Sequence, residues 1–215
     1  MYRRIVTIAL CSLLAACAAQ TPPPRVVLVS VAPVEEPPEW RKSIRPEDDA
    51  RLESLRADWG KLHARLSSRV RTAQGKLVDP GAGLDLPSLT PGSYRCRVVR
   101  LRSPARGATS ARSSTNDYCF VSATDEGVAF VKQTGSDPAA GYFYPDGKRY
   151  VFLGARQRRA GENSLGYGNE PARDMVGVVE RVGGFRWRLA VAGADGRQLD
   201  IYELTPVPVD QQPRG

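Results

Sequence analysis

Gly183-Gly184-Phe185-Arg186-Trp187-Arg188-Leu189 decides the fold. A glycine pair that favours a turn leads into strict alternation. Phe185, Trp187 and Leu189 take one set of positions, and Arg186 and Arg188 the other. A period of two is the signature of a strand, with one face buried and the other in water. The pattern predicts that the three apolar side chains point inward and both arginines outward.

Working outward from this strand, the same style of segment recurs. Strands are predicted at 93–102, 117–124, 127–133, 140–145, 148–154, 174–182, 184–191 and 199–205. Asp125-Glu126-Gly127, Asp146-Gly147, Gly183-Gly184 and Asp195-Gly196 divide them. Connections this short join antiparallel neighbours, because parallel pairs need long crossovers. The expectation is a mainly β chain: a small eight-stranded antiparallel up-and-down barrel or rolled sheet over 76–206, preceded by one amphipathic helix. A barrel of this size is filled by side chains or holds one small ligand. Tyr94, Phe130, Tyr142, Phe152, Trp187 and Ile201 are the expected filling.

The helix is predicted over 46–75. Pro46 suits the first helical position, and Glu47, Asp48 and Asp49 complement the positive end of the dipole. Leu52, Leu55, Trp59, Leu62, Leu66 and Val70 recur every three or four residues and form one docking face. Residues 76–92 carry Pro80, Gly81, Gly83, Pro87, Pro91 and Gly92 and read as a loop. Residues 207–215 read as a tail.

Upstream, Arg3 and Arg4 precede a short apolar run, Ile5 to Leu13, and then Leu14-Ala15-Ala16-Cys17. The run falls short of the ~20 apolar residues needed to span a bilayer. Residues 1–16 therefore read as a signal peptide, and Leu14 to Cys17 resembles the lipobox of bacterial lipoproteins. That resemblance implies diacylglycerol on the Cys17 thiol and a membrane anchor. It places the protein in the cell envelope, at the outer membrane facing the periplasm, since Ala18 and not aspartate follows the cysteine. Residues 17–45 read as a tether rich in proline, interrupted by Val26-Val27-Leu28-Val29.

Charge and cysteine usage narrow the function classes. The chain has 31 Lys and Arg against 23 Asp and Glu, a charge of +8. Losing Arg3 and Arg4 with the leader leaves 29 basic residues and a charge of +6. Such a surface attracts acidic partners such as phosphorylated lipid headgroups, whereas nucleic acid is no expected partner in this compartment. With Cys11 removed and Cys17 acylated, Cys96 and Cys119 remain in an oxidising compartment. They flank a stretch rich in turn formers symmetrically, so a hairpin would set them opposite each other as a structural disulfide.

No assembled chemistry is visible. His63 is the single histidine and lies on the predicted helix. Asp174 follows Arg173 at a strand entrance, where a salt bridge or turn cap is expected. Metal motifs, phosphate loops and nucleotide fingerprints are missing from the pattern, so neither a metal nor another cofactor is expected. What remains is arginine. Arg95, Arg97, Arg100 and Arg102 share the first strand, and Arg156, Arg158 and Arg159 open a long loop over 155–173 that also holds Tyr167 and ends at Arg173. Guanidinium forks match phosphate and carboxylate. Arg156, Arg158, Arg159, Tyr167 and Arg173 are therefore the candidate binding residues, with Tyr167 available to stack on a sugar or fill a partner's pocket.

Several segments together resemble a bacterial family called domain of unknown function 4893. They are Glu39-Trp40-Arg41 with Arg51, Leu52, Leu55 and Trp59; Gly92-Ser93-Tyr94-Arg95-Cys96-Arg97; Tyr144-Pro145-Asp146 running into Val151-Phe152-Leu153-Gly154-Ala155; Tyr167-Gly168; Arg173-Asp174 with Gly177; Trp187-Arg188-Leu189; and Leu199 to Leu204. The resemblance covers about 39–206 and implies a small envelope protein, with no activity to carry over. The architecture is also similar to the small barrels of bacterial periplasmic protease inhibitors. The expected function is a non-enzymatic, lipid-anchored envelope protein that binds a protein, glycan or lipid headgroup. The alternative is an inhibitor or adaptor of a periplasmic enzyme.

Overall fold

Most strands of this chain carry two apolar faces, and that decides how the molecule is layered. Val98 lies beside Val99, Phe152 between Val151 and Leu153, Leu189 beside Ala190, and Tyr202 beside Ile201, all buried. One face fills the inside of a barrel and the other needs a cover. The computed structural model describes residues 38–162 and 166–211. The leader, Cys17, and Val26 to Val29 in the tether lie outside the described residues.

A short helix α1 (Trp40–Ser43) opens the described chain, followed by α2 (Pro46–Ala64) and α3 (Ser68–Gln74). Nine strands follow: β1 (Gly92–Arg102), β2 (Ser110–Ser113), β3 (Asp117–Thr124), β4 (Gly127–Lys132), β5 (Ala139–Asp146), β6 (Arg149–Arg156), β7 (Asp174–Gly183), β8 (Arg186–Ala192) and β9 (Gln198–Pro206). From β3 to β9 each strand pairs antiparallel with the next, while β1 pairs with β3 on one edge and β9 on the other, closing an eight-stranded barrel. β2 is the extra strand. It takes the second half of β1, Val99 to Arg102, on the edge that β3 occupies along Gly92 to Cys96. It lies between the first two predicted strands, where the sequence pattern predicts none.

The barrel interior holds Tyr94, Val98, Val121, Phe130, Phe143, Phe152, Trp187, Leu189, Tyr202 and Leu204. Two expected fillers are elsewhere. Tyr142 is half-buried and donates its hydroxyl to Glu126 at 2.6 Å. Ile201 belongs to the outer cluster with Val99, Leu101, Val151, Leu153, Val176 and Leu199, onto which Leu52, Leu55, Trp59 and Leu62 of α2 pack. Gly141 stands directly opposite Gly154 on β5 and β6. An added Cβ on Gly141 would meet the Gly154 Cα, and one on Gly154 the Ala140 carbonyl and the Phe152 ring, so both must be glycine for these strands to approach.

The predicted single helix breaks at 65–67. The Arg65 carbonyl accepts from Thr109 N–H at 3.0 Å and its guanidinium reaches the Gly107 carbonyl, tying the chain to the β1–β2 loop. Ser67 then caps α3, its hydroxyl accepting from Val70 N–H at 3.3 Å. Within the stretch read as tether, Trp40 is buried, so the packed part of the molecule includes residues before 46. It also runs past 206, with Val207 buried and its N–H bonded to the Ser93 carbonyl.

The decisive strand needs two corrections. Trp187 and Leu189 do face inward, but Phe185 stands in the β7–β8 turn, 78% exposed. Arg188, expected in water, is fully buried beneath the helical cover. It binds Glu180 at 2.6 and 3.0 Å, donates to the carbonyls of Lys76, Leu77 and Asp79, and lies 4.2 Å from the Trp59 ring centroid. The outer face here is the floor under α2, and the guanidinium supplies donors to the Lys76 and Leu77 carbonyls and adds a second to that of Asp79, which already accepts from the Ala82 N–H at 3.1 Å. Cys96 and Cys119 are bridged, with Cα atoms 5.9 Å apart. In the register Cys96 faces Asp117 and Tyr94 faces Cys119, so the pair is diagonal, not directly opposed.

Candidate anion-binding site

β1 is long enough to overrun the apolar interior. Tyr94, Cys96 and Val98 point inside. The same face continues into Arg100 and Arg102, which therefore stand at one mouth of the barrel. β9 does the reverse: Gln198 and Asp200 precede the inward-facing Tyr202 and Leu204. β6 adds Arg156 beyond Phe152 and Gly154, and β2 sets Arg112 opposite Arg100 and Ser110 opposite Arg102. Alternation thus delivers four guanidiniums to one end.

They meet two carboxylates. Arg100 Nε and Nη2 donate to the two Asp200 oxygens at 2.7 and 2.8 Å, and Nη2 also reaches Asp137 at 2.6 Å. Arg156 lies 3.6 Å from Asp137 and 3.8 Å from Asp200. Arg102 donates only to Gln198, at 2.6 Å, and Arg112 has no hydrogen-bond or ion-pair partner among the described residues. Arg100, Arg102, Ser110 and Arg112 line a cavity of about 320 Å³. The Asp200 hydrogen bond, opposed by burial and helped by Asp137, raises Arg100 above its ordinary value. Burial alone would raise the Asp137 carboxyl, but the hydrogen bond and charge of Arg100 outweigh it and hold the group low. Both carboxylates are committed to Arg100, and the field left over is positive.

The same end is stiffened from within. Lys132 is wholly buried and pairs with Asp117 at 2.7 Å, beside the disulfide in the register. The Tyr202 hydroxyl donates to the Asp137 carbonyl at 3.1 Å, which pins the β4–β5 loop over the interior.

The loop expected to bind is organised differently. Tyr167 donates to Asp48 at 2.5 Å and accepts from the Arg45 N–H at 3.1 Å. Asp48 is fully buried at the start of α2, where Arg45 and Arg51 also meet it. Asp174 accepts from Gly168 N–H at 3.0 Å, as a turn cap would, and its ion pair at 3.2 Å is with the distant Arg45 and not a local one with Arg173. Tyr167 therefore clasps the loop to the helix and is not a ring presented to a ligand. Arg173 is mostly buried and pairs with Glu170, which also meets the exposed Arg158 at 3.3 Å. Arg159 is exposed, and the carboxyl of its neighbour Glu162 is held low chiefly by the Arg158 N–H. Of the five candidates, only Arg156 joins the mouth. Arg112 went unflagged, although its register against Arg100 follows once β2 is recognised. Among the described residues no three His, Cys, Asp or Glu side chains gather as a metal would require.

A family model described as domain of unknown function (DUF4893) matches residues 40–204. The chain belongs to that family. No curated protein and no solved structure matches it. The family match takes in the helical cover and the barrel up to Leu204 of β9, so the DUF4893 unit contains every residue of the arginine mouth.

Proposed function

We propose that this is a non-catalytic, lipid-anchored envelope protein whose barrel mouth binds an anionic group of an envelope glycan or lipid headgroup. The observation that carries the reading is the pair Arg102 and Arg112, two guanidiniums without carboxylate partners on a 320 Å³ cavity. Convergent forks of this kind suit a phosphate or carboxylate bidentately. Binding is favoured over catalysis because Asp137 and Asp200 are tied to Arg100, which leaves neither as a free base. The anchor rests on Leu14-Ala15-Ala16-Cys17, which supports acylation at Cys17 and an outer-membrane address facing the periplasm.

Calorimetric titration with inorganic phosphate, sugar phosphates and glycerol phosphate tests the site. Arg102→Ala and Arg112→Ala together should weaken binding at least about tenfold, each lost charged hydrogen bond being worth ~1.5–3 kcal/mol. The melting temperature should hold, because both side chains are at the surface. Unchanged affinity in the double variant removes the site. Cys17→Ser should move the protein out of the membrane fraction, and retention there would count against the anchor.

A further inference from the structure

The opposite end of the barrel is apolar. Three of the four large exposed hydrophobic residues among those described, Leu84, Leu86 and Phe185, cluster there. Phe185 caps the β7–β8 turn and is 78% exposed, and Leu86 is 74% exposed. Leu86 also holds φ +58°, a left-handed backbone that costs a leucine energy. Between them runs a groove of about 700 Å³, walled by Thr90, Pro91, Tyr94, Trp187, Pro206 and Val207. The Trp187 indole N–H has no acceptor although the residue is only 5% exposed, and Arg181 Nε, at the same groove, also lacks one.

These features select among occupants. An extended peptide binds by adding to a free strand edge. Here the start of β1 is paired with β3 on one side and β9 on the other, and Val207 N–H is bonded to the Ser93 carbonyl. Pro91 and Pro206 offer no N–H at all. The wall gives a peptide backbone little to bond, whereas an acyl chain asks for no such bonds. The two unpaired donors are themselves sealed from solvent, so they too offer a peptide carbonyl nothing to bond. A single free amphiphile in the groove would leave Phe185 and Leu86 in water, while a bilayer covers both.

We propose that this end of the barrel inserts Phe185 and Leu86 into a bilayer surface and takes an acyl chain of a membrane lipid into the groove beside Trp187. The inference stands on these side chains and does not require the anion site. It also orients the molecule, with the arginine mouth directed away from that bilayer, so of the two ligands proposed for the mouth this orientation leaves the glycan.

The test places tryptophan at each end of the full chain, as Phe185→Trp and, at the arginine end, as Tyr118→Trp. Both variants are reconstituted in phosphatidylcholine–phosphatidylglycerol vesicles brominated on the acyl chains. Trp40, Trp59 and Trp187 emit in both variants, so what counts is the quenching each substitution adds over the unsubstituted chain; that added by F185W should exceed that added by Y118W at least about threefold, since an interfacial aromatic sits at headgroup depth. Leu86→Ser in the F185W background should reduce it. Equal quenching of both positions overturns the proposal. So does quenching by a brominated fatty acid in solution but not by vesicles, which would make the ligand a free amphiphile. A concentration-dependent dimer abolished by Phe185→Ser would assign the patch to a second copy and also overturn it. The phosphate titration uses no lipid, so failure of one reading leaves the other distinguishable.

Discussion

Arg188→Met isolates the interaction that holds the helical cover on the barrel. Methionine keeps the unbranched stem against Trp59 and removes the guanidinium. Glu180 then keeps only Arg56, whose side chain is 55% exposed. Breaking a buried ion pair from one side costs ~3–5 kcal/mol, because the remaining charge is uncompensated. The carbonyls of Lys76 and Leu77 also lose this donor, while that of Asp79 keeps the Ala82 N–H. Each buried acceptor left bare costs ~1–3 kcal/mol, but the 75–82 turns can open to water, so the full sum is not reached. We expect a net loss near ~4 kcal/mol, a large part of the ~5–15 kcal/mol that stabilises a domain. Urea unfolding followed by tryptophan emission measures it, with Trp59 reporting from 4.2 Å. Glu180→Gln in the same chain should restore part of the loss and give a coupling energy within the ~0.5–3 kcal/mol found for contacting residues. A single-variant loss below ~1 kcal/mol, or strict additivity, would show that Arg188 is solvated and that the cover is held by Leu52, Leu55, Trp59 and Leu62 alone.

Cys96→Ala with Cys119→Ala opens a loop of sequence separation 23 and should cost ~3 kcal/mol by chain entropy, read as a lower urea midpoint; an unchanged midpoint refutes it. Tyr167→Phe leaves Asp48 and the Arg45 N–H without the hydroxyl, and should lower stability by ~1–2 kcal/mol while raising amide exchange across 166–173. Unaltered exchange there would release the loop from the helix. The depressed Asp137 carboxyl contributes stability that is complete above the ordinary carboxylate pKa of about 3.9 and is lost as pH falls through the lower folded value. Asp137→Asn should flatten the fall of the melting temperature in that acid window, and an identical slope would contradict the pairing with Arg100. Burial, opposed by the hydrogen bond to the Thr90 carbonyl, pushes the Tyr94 hydroxyl up to about 12. Stability should therefore decline between about pH 10 and 12, where the unfolded phenol ionises first, and Tyr94→Phe should lessen the decline.

Local pattern placed eight of the nine described strands, because side chains alternate along an extended chain whatever packs against it, but it missed β2 and started β8 two residues early, at 184 and not Arg186. All eight expected segments formed, and short turns dictated their antiparallel order. Ser67 as a helix cap was local information too, but it broke the helix only together with the hold of the β1–β2 loop on Arg65. The tertiary structure decided which alternating face is wet. Arg188 reads as solvent-facing until α2 is laid over it, and Ile201 reads as interior until closure turns its face toward that helix. The binding residues divided in the same way. Arg100 and Arg156 were visible as arginines, yet neither their meeting with Asp137 and Asp200 nor the addition of Arg112 was local, since the partners lie up to 100 residues apart. Tyr167 shows the converse: a ring in a long loop looks available until a buried Asp48, 119 residues away, claims its hydroxyl. Local pattern specifies elements because backbone geometry is short-range. Barrel closure and the helical cover assign the surfaces, because burial is a property of the whole chain.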